Sequence, residues 1–184
     1  MNQEFLDNNY LFVPEFIPTQ EANDLYKQFK KETQLYPHNF DNKDPQAPGS
    51  PSIHNYAPFV ALMCEKTAHM NKLVGEKLLP TYAYARIYKN GAELVKHKDR
   101  PACEVSVTLH LGSDGTSWPL GFTKPDGTTV LKDLKPGEAV IYFGCISEHW
   151  RENAFMGQEY GQLFLHYVRS EGKYINHCFD AGRK

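Results

Sequence analysis

The chain has 184 residues, of which 41% are hydrophobic and 23% charged, with a formal net charge of −2. That composition predicts one ordinary globular domain over 1–184, and it gives no electrostatic drive toward nucleic acid or an anionic membrane, leaving a small molecule, peptide or protein as the expected partner. No stretch is apolar enough to span a bilayer, and the acidic opening MNQEFLDNNYLFVPEF lacks the basic flank and apolar run of a targeting peptide, so a cytoplasmic location is expected. Cys64, Cys103, Cys145 and Cys178 form no CxxC pair and are read as buried free thiols.

A β-like segment at 10–13 comes first, and Thr19 is a suitable N-cap for a helix whose apolar residues Ala22, Leu25, Tyr26 and Phe29 recur at helical spacing. Residues 36–52 (YPHNFDNKDPQAPGSPS) have no periodicity and predict a long loop, expected to be less ordered than the strands and to close over a functional site. A second helix is predicted at about 59–78, with Pro80 marking its end. These elements make a helical support over 15–80. From Tyr82 the texture changes to short β-rich runs at 82–88, 93–97, 104–111, 118–123, 128–131, 138–143 and 161–169. Asn90-Gly91, Asp114-Gly115, Asp126-Gly127 and Pro136-Gly137 supply turns between them. Helices that precede the strands, rather than alternating with them, argue against a parallel sheet. The expected fold is mainly β with flanking N-terminal helices, an antiparallel sandwich or jelly-roll barrel over 81–170.

His97-Lys98-Asp99 ends one predicted strand, where period-2 geometry sends positions 97 and 99 to one side, and His149 follows the strand-like AVIYFG at 139–144. Two histidines and one carboxylate on one face of an ion leave the opposite positions open, as Fe(II) oxygenases require. The segments YARIYKNGAELVKHKDRPACEVSVTLHL, LKPGEAVIYFGCISEHWRE and GQLFLHYV resemble the prolyl-4-hydroxylase-like branch of the 2-oxoglutarate and Fe(II)-dependent dioxygenases over about residues 80–170. The resemblance implies a double-stranded β-helix with Fe(II) on His97, Asp99 and His149. It also implies 2-oxoglutarate as cosubstrate, O₂ as co-reactant, ascorbate as an auxiliary reductant, and hydroxylation of a C–H bond in a peptide or amino acid.

Members of that branch usually hold the distal carboxylate of 2-oxoglutarate with an Arg or Lys nine or ten residues beyond the distal His, positions occupied here by Gln158 and Glu159. On the last strand Tyr160, Gln162, Phe164 and His166 share one face, so His166 is a candidate replacement if protonated or hydrogen-bonded by a carboxylate. His110 sits where related enzymes place a tyrosine that helps hold the same carboxylate, and Tyr88 resembles another hydroxyl donor to the cosubstrate. Together the three could replace one cation with several hydrogen bonds. Arg151 is the other cation expected to face the cavity, with a salt bridge to Glu148 or Glu152 as its structural alternative; for His110 and His166 the alternative is a core role.

Tyr82, Tyr84, Arg86 and Tyr88 alternate along one strand, either lining a substrate groove or forming an outer rim. Trp118 and Trp150 read as packing residues. Arg100, directly after Asp99, either pairs with it or faces substrate. Two other functions compete with a prolyl-hydroxylase-like enzyme. The missing family cation suggests a catalytically inactive metal-binding jelly-roll module. An oxygenase acting on another small molecule or a nucleobase is the third, and low positive charge counts against nucleic acid.

Overall fold

Alternation along the strands builds two antiparallel sheets in the computed structural model, which describes residues 2–179. In chain order the elements are α1 (Gln3–Asn8), β1 (Tyr10–Val13), α2 (Thr19–Leu35), β2 (Ser52–His54), α3 (Ala57–Val74), β3 (Leu78–Lys89) and β4 (Val105–Ser113). They continue with β5 (Leu120–Thr123), β6 (Thr129–Lys132), β7 (Ala139–Tyr142), β8 (His149–Arg151) and β9 (Glu159–Arg169). The larger sheet has the order β1-β7-β4-β9-β3-β2, and the smaller one β6-β5-β8. This is the mainly β jelly-roll architecture with N-terminal helices that the sequence predicts.

The two faces of the larger sheet do different work. Its outer face places Ala83, Ala85 and Ile87 of β3, Val107 and Leu109 of β4, and Leu163 and Leu165 of β9 against the helices, where Phe29, Phe59, Met63 and Met70 complete the main core. Its inner face carries Tyr82, Tyr84, Arg86 and Tyr88 from β3, Ser106, Thr108 and His110 from β4, and Tyr160, Gln162, Phe164 and His166 from β9, as period-2 geometry requires. Helix α2 lies close to the sheet because Gly112 and Gly161 have no side chain. A Cβ on either would collide with the ring of Tyr26.

Several sequence expectations need correction. Helix α3 ends at Val74, because Gly75 takes the left-handed conformation (φ 75°) and donates its N–H to Asn71 O. The Asn71 side chain then accepts from the Leu78 N–H at 2.8 Å, so 78–80 begin β3 instead of ending a helix. The N-cap of α2 is Pro18, without a side-chain cap, and not Thr19. Residues 93–97 form no strand; they make one isolated bridge, His97 to His149. Elements α1, β2 and β8 are too short to show a period and escape sequence reading. Cys64 is exposed, since Leu62, Met63 and Met70 take the buried face of α3; Cys103 is buried, Cys145 and Cys178 are half-buried, and all four are free. No described helix is long and apolar enough to cross a membrane.

The ring of Phe29 is fully buried and meets Phe59 edge-on at 5.3 Å, joining both long helices to the sheet. Phe29→Ala is expected to lower stability by about 3–5 kcal/mol. Urea unfolding followed by circular dichroism measures this, and an unchanged midpoint would remove Phe29 from the core.

Candidate active site

Between the sheets lies a cavity of about 600 Å³, in the size range of small-molecule sites. His97, Asp99 and His149 line one part of it. Their convergence begins in the backbone. The His97 N–H donates to His149 O at 3.1 Å and the His149 N–H to His97 O at 3.0 Å, while the Asp99 N–H donates to Gly144 O at 2.8 Å. The two imidazoles therefore lie side by side, with ring centroids 4.2 Å apart.

Each ring presents the correct nitrogen. Nδ1 of His97 sits 2.8 Å from Val95 O and Nδ1 of His149 3.1 Å from Ser147 O, so in the neutral rings Nδ1 carries the proton. The Nε2 atoms, with free lone pairs, face Asp99 Oδ1 at 3.8 and 3.6 Å. Burial alone would raise the Asp99 carboxyl; the polar imidazoles around it, His149 first and then His166 and His97, hold it below the usual range. His97 is lowered by burial and by His149. An ionised carboxylate with two neutral imidazoles, all donor atoms within 4.8 Å of one another, is the donor set that suits Fe(II) with open positions. Gly144 makes room for it. A Cβ there would strike Asp99 Oδ2 and the Cys103 carbonyl.

A second donor group, Asp99, Cys103 and His166, adjoins the first. Burial pushes the Cys103 thiol up to about 12, which makes it a poor metal ligand, and its Sγ lies 3.1 Å from the Tyr82 hydroxyl. These residues form a wall behind Asp99.

At another place in the barrel, Arg151 of β8 reaches across to β9, where its Nη2 donates to Gln162 Oε1 at 2.9 Å. Its guanidinium lies over Trp118 at 4.4 Å and Tyr160 at 4.7 Å. Arg151 Nη1, Gln162 Nε2, the Tyr160 hydroxyl and His110 Nδ1 are all buried without a hydrogen-bond partner. Four such atoms in one cluster are unusual for a native interior and make it a candidate binding place for a polar group. Three of them belong to groups that donate, which suits a carboxylate. Tyr88 lines the cavity and feels the charge of both Arg86 and Arg151.

The candidate anchor residues thus divide. His166 lines the cavity opposite Ser106, whereas His110 lies four residues further along β4, about 13 Å away at strand spacing. A single cluster of Tyr88, His110 and His166 is not formed. His110 stacks on Tyr160 at 4.1 Å beside Arg151. Glu159, one of the two positions at which the resemblance led to a search for a cation, points outward and accepts from Lys89 at 2.7 Å, from Tyr26 at 3.2 Å and from Lys30. Arg151 is not a partner of Glu148, which pairs with Lys96 instead.

The β3 stripe faces inward. Tyr82, Tyr84, Arg86 and Tyr88 line the cavity, and Arg86 Nη1 meets Asp44 Oδ2 at 2.6 Å. That aspartate belongs to the predicted loop, whose residues 41 and 43–46 also line the cavity mouth. Hydrogen bonds from the Lys89 N–H to Ser50 Oγ and from the Glu93 N–H to Gln46 O tie the loop to the barrel. Trp118 is a packing residue, its indole N–H held by Asn153 O at 2.8 Å, and Arg100 lies over the Tyr82 ring at 4.6 Å. Sequence reading missed Ser106, Gly144 and Asp44. Only Ser106 left a signal, as the inward neighbour of His110 in the alternating run 106, 108, 110.

No protein-family model matches the chain, and no curated protein matches it by sequence. Solved structures do match by shape. A Pseudomonas putida prolyl-4-hydroxylase superposes with a TM-score of 0.70 at 16% identity, covering 90% of this chain and 95% of the other. The non-haem α-ketoglutarate-dependent carbocyclase SnoK from nogalamycin biosynthesis gives 0.74 at 9% identity, over 92% and 85%. HygX from Streptomyces hygroscopicus, with nickel, 2-oxoglutarate and hygromycin B bound, gives 0.71 at 11%, over 93% and 88%. The fold is therefore that of these oxygenases.

Two outcomes follow from this geometry. Gly144→Ala is expected to displace Asp99 and weaken Fe(II) or Co(II) binding while circular dichroism stays unchanged; wild-type metal affinity would show that Asp99 does not need this space. The second concerns acid stability. Burial and the charge of Arg151 hold His110 down at about 3, and burial holds His166 at about 4. Below the ordinary histidine value of about 6.5 the unfolded chain binds protons that the native state refuses. Stability is thus fully present above about pH 6.5 and is lost as the pH falls toward 4 and then 3. His110→Gln should flatten that slope in urea titrations run from pH 7 to 4, and an unchanged slope would show that His110 titrates alike in both states.

Proposed function

We propose that the chain is a non-haem Fe(II) and 2-oxoglutarate-dependent dioxygenase that hydroxylates a C–H bond, prolyl-hydroxylase-like, in a peptide or amino-acid substrate. The observation that carries the reading is the pairing, within one barrel, of the His97–Asp99–His149 donor set with the buried, partly unpartnered Arg151 cluster. Likeness of fold to a prolyl-4-hydroxylase and to HygX, whose structure holds nickel and 2-oxoglutarate, supports it. When bound, iron with 2-oxoglutarate and O₂ supplies the oxidising power to break a substrate C–H bond.

The chain's residues do the rest. His97, Asp99 and His149 hold the metal on one face. Arg151 Nη1, with Gln162 Nε2 and the Tyr160 hydroxyl, receives the distal carboxylate, and Tyr88 lies beside it. The guanidinium therefore replaces the missing cation of β9 from β8, in the opposite sheet. The tyrosines of β3 and the loop over the mouth enclose the substrate and exclude water. Ascorbate as auxiliary reductant and a cytoplasmic location belong to the same reading. A different small molecule as prime substrate is the second reading, supported by the fold likeness to SnoK and to HygX, whose structure holds hygromycin B.

Conversion of 2-oxoglutarate to succinate with added Fe(II) tests the activity. Neither turnover nor 2-oxoglutarate binding would favour the inactive module. His97→Ala, Asp99→Ala and His149→Ala are each expected to abolish turnover. Arg151→Gln is expected to raise the 2-oxoglutarate KM by roughly ten- to hundred-fold, the loss of a charged hydrogen bond worth about 1.5–3 kcal/mol, with a much smaller change in kcat. If Arg151→Gln leaves KM untouched and Arg86→Gln raises it, the anchor is Arg86.

A further inference from the structure

The carboxylate of Asp99 has two oxygens and only one of them faces the histidines. Oδ1 lies toward both Nε2 atoms, while Oδ2 lies 3.1 Å from Ser106 Oγ. The same hydroxyl is 3.2 Å from the Cys103 carbonyl and 2.9 Å from His166 Nδ1. Ser106 and His166 are opposite one another in the β4–β9 register, both are buried, and the His166 ring packs against Tyr82 at 4.4 Å. The arrangement is part of the sheet and not of a loop.

Counting protons fixes its polarity. A serine hydroxyl has one hydrogen to give, and an ionised carboxylate or a backbone carbonyl can only accept. If His166 Nδ1 also accepted, three acceptors would compete for a single hydrogen. The contacts close when His166 Nδ1–H donates to Ser106 Oγ and Ser106 donates to Asp99 Oδ2, sharing its hydrogen with the Cys103 carbonyl.

From this geometry we propose that Ser106 and His166 are positioning residues that hold Asp99 as a one-oxygen metal ligand. The donor chain engages Oδ2, which leaves Oδ1 alone to bind the metal. Were Oδ2 released, the carboxylate could swing and offer both oxygens to the ion, filling a position that a chelating cosubstrate or O₂ needs. With Nδ1 donating, His166 keeps its Nε2 as an acceptor at the cavity wall. His166 therefore acts on the carboxylate ligand and is not itself an anchor for 2-oxoglutarate. The inference rests on the metal reading proposed above and adds to it the way one ligand is oriented.

The test uses Co(II) alone as probe, with the whole chain and no activity measurement. Affinity comes from titration, and coordination from the visible ligand-field spectrum. Ser106→Ala is expected to weaken Co(II) binding roughly ten- to hundred-fold, as for other outer partners of metal ligands, and to change the spectrum while the apo-protein stays folded. His166→Asn places an amide N–H where Nδ1–H was and should keep wild-type affinity and spectrum. His166→Leu should resemble Ser106→Ala. The double variant of Ser106→Ala with His166→Leu should be no worse than either alone, because both break one chain. Additive losses, a failed rescue by His166→Asn, or a folded Ser106→Ala protein with wild-type affinity and spectrum would each overturn the proposal while wild-type binding keeps the metal reading intact. Failure of the wild-type protein to bind Co(II) or Fe(II) would overturn both.

Discussion

Two reciprocal backbone hydrogen bonds between His97 and His149 hold the site together. The segment 93–99 has no ladder of its own, so these bonds, with that from Asp99 N–H to Gly144 O, fix where the three candidate donors stand. Main-chain bonds suit this purpose because they set the positions of the Cα atoms before any side chain chooses a rotamer. The imidazoles are then oriented by their own local carbonyls, two residues earlier in each case. A bound ion would add its ligand bonds to a frame that already exists, which couples metal affinity to the stability of the bridge.

Much of this was legible in the sequence, and the reasons are specific. The inward face of β9 followed from parity alone, and Phe164 and His166 indeed line the cavity. The HxD pair was a weak signal by itself, and the family resemblance singled it out together with His149; the fold brings the three side chains to one place. The proposed anchor was harder to read. Counting nine or ten residues from His149 lands on Gln158 and Glu159, yet the facing of a residue is decided by strand parity and not by distance along the chain. The chain bends between β8 and β9, and the inward residues that result are Tyr160 and Gln162. Interstrand contacts such as Arg151 to Gln162 leave no periodic trace, and neither does a loop aspartate such as Asp44 that reaches Arg86. The end of α3 was misjudged because Gly75, a weaker visual cue than Pro80, supplies the left-handed cap.

The interior of the barrel is polar by design of its chemistry, and the helices make that affordable. One face of the larger sheet is given mainly to apolar packing against α2 and α3, so the opposite face can carry tyrosines, histidines and arginines. Two of its charged groups stand in different surroundings. Asp99 stands among three imidazoles, and Arg151 stands among aromatic rings and amides.

Glu159 shows what an exchange of cation between strands entails. It faces outward and ties Lys30 and Tyr26 of α2 to β9, together with Lys89 of β3. A lysine placed there would enter a cluster already holding two lysines, loosening the helix without reaching the cavity. The inward site beneath Arg151 is Gln162, so charge can cross the barrel only as a reciprocal swap, with arginine on β9 and glutamine on β8. In an evolutionary lineage the two positions would then be expected to change together, and a chain caught between the two states would carry either both arginines or neither.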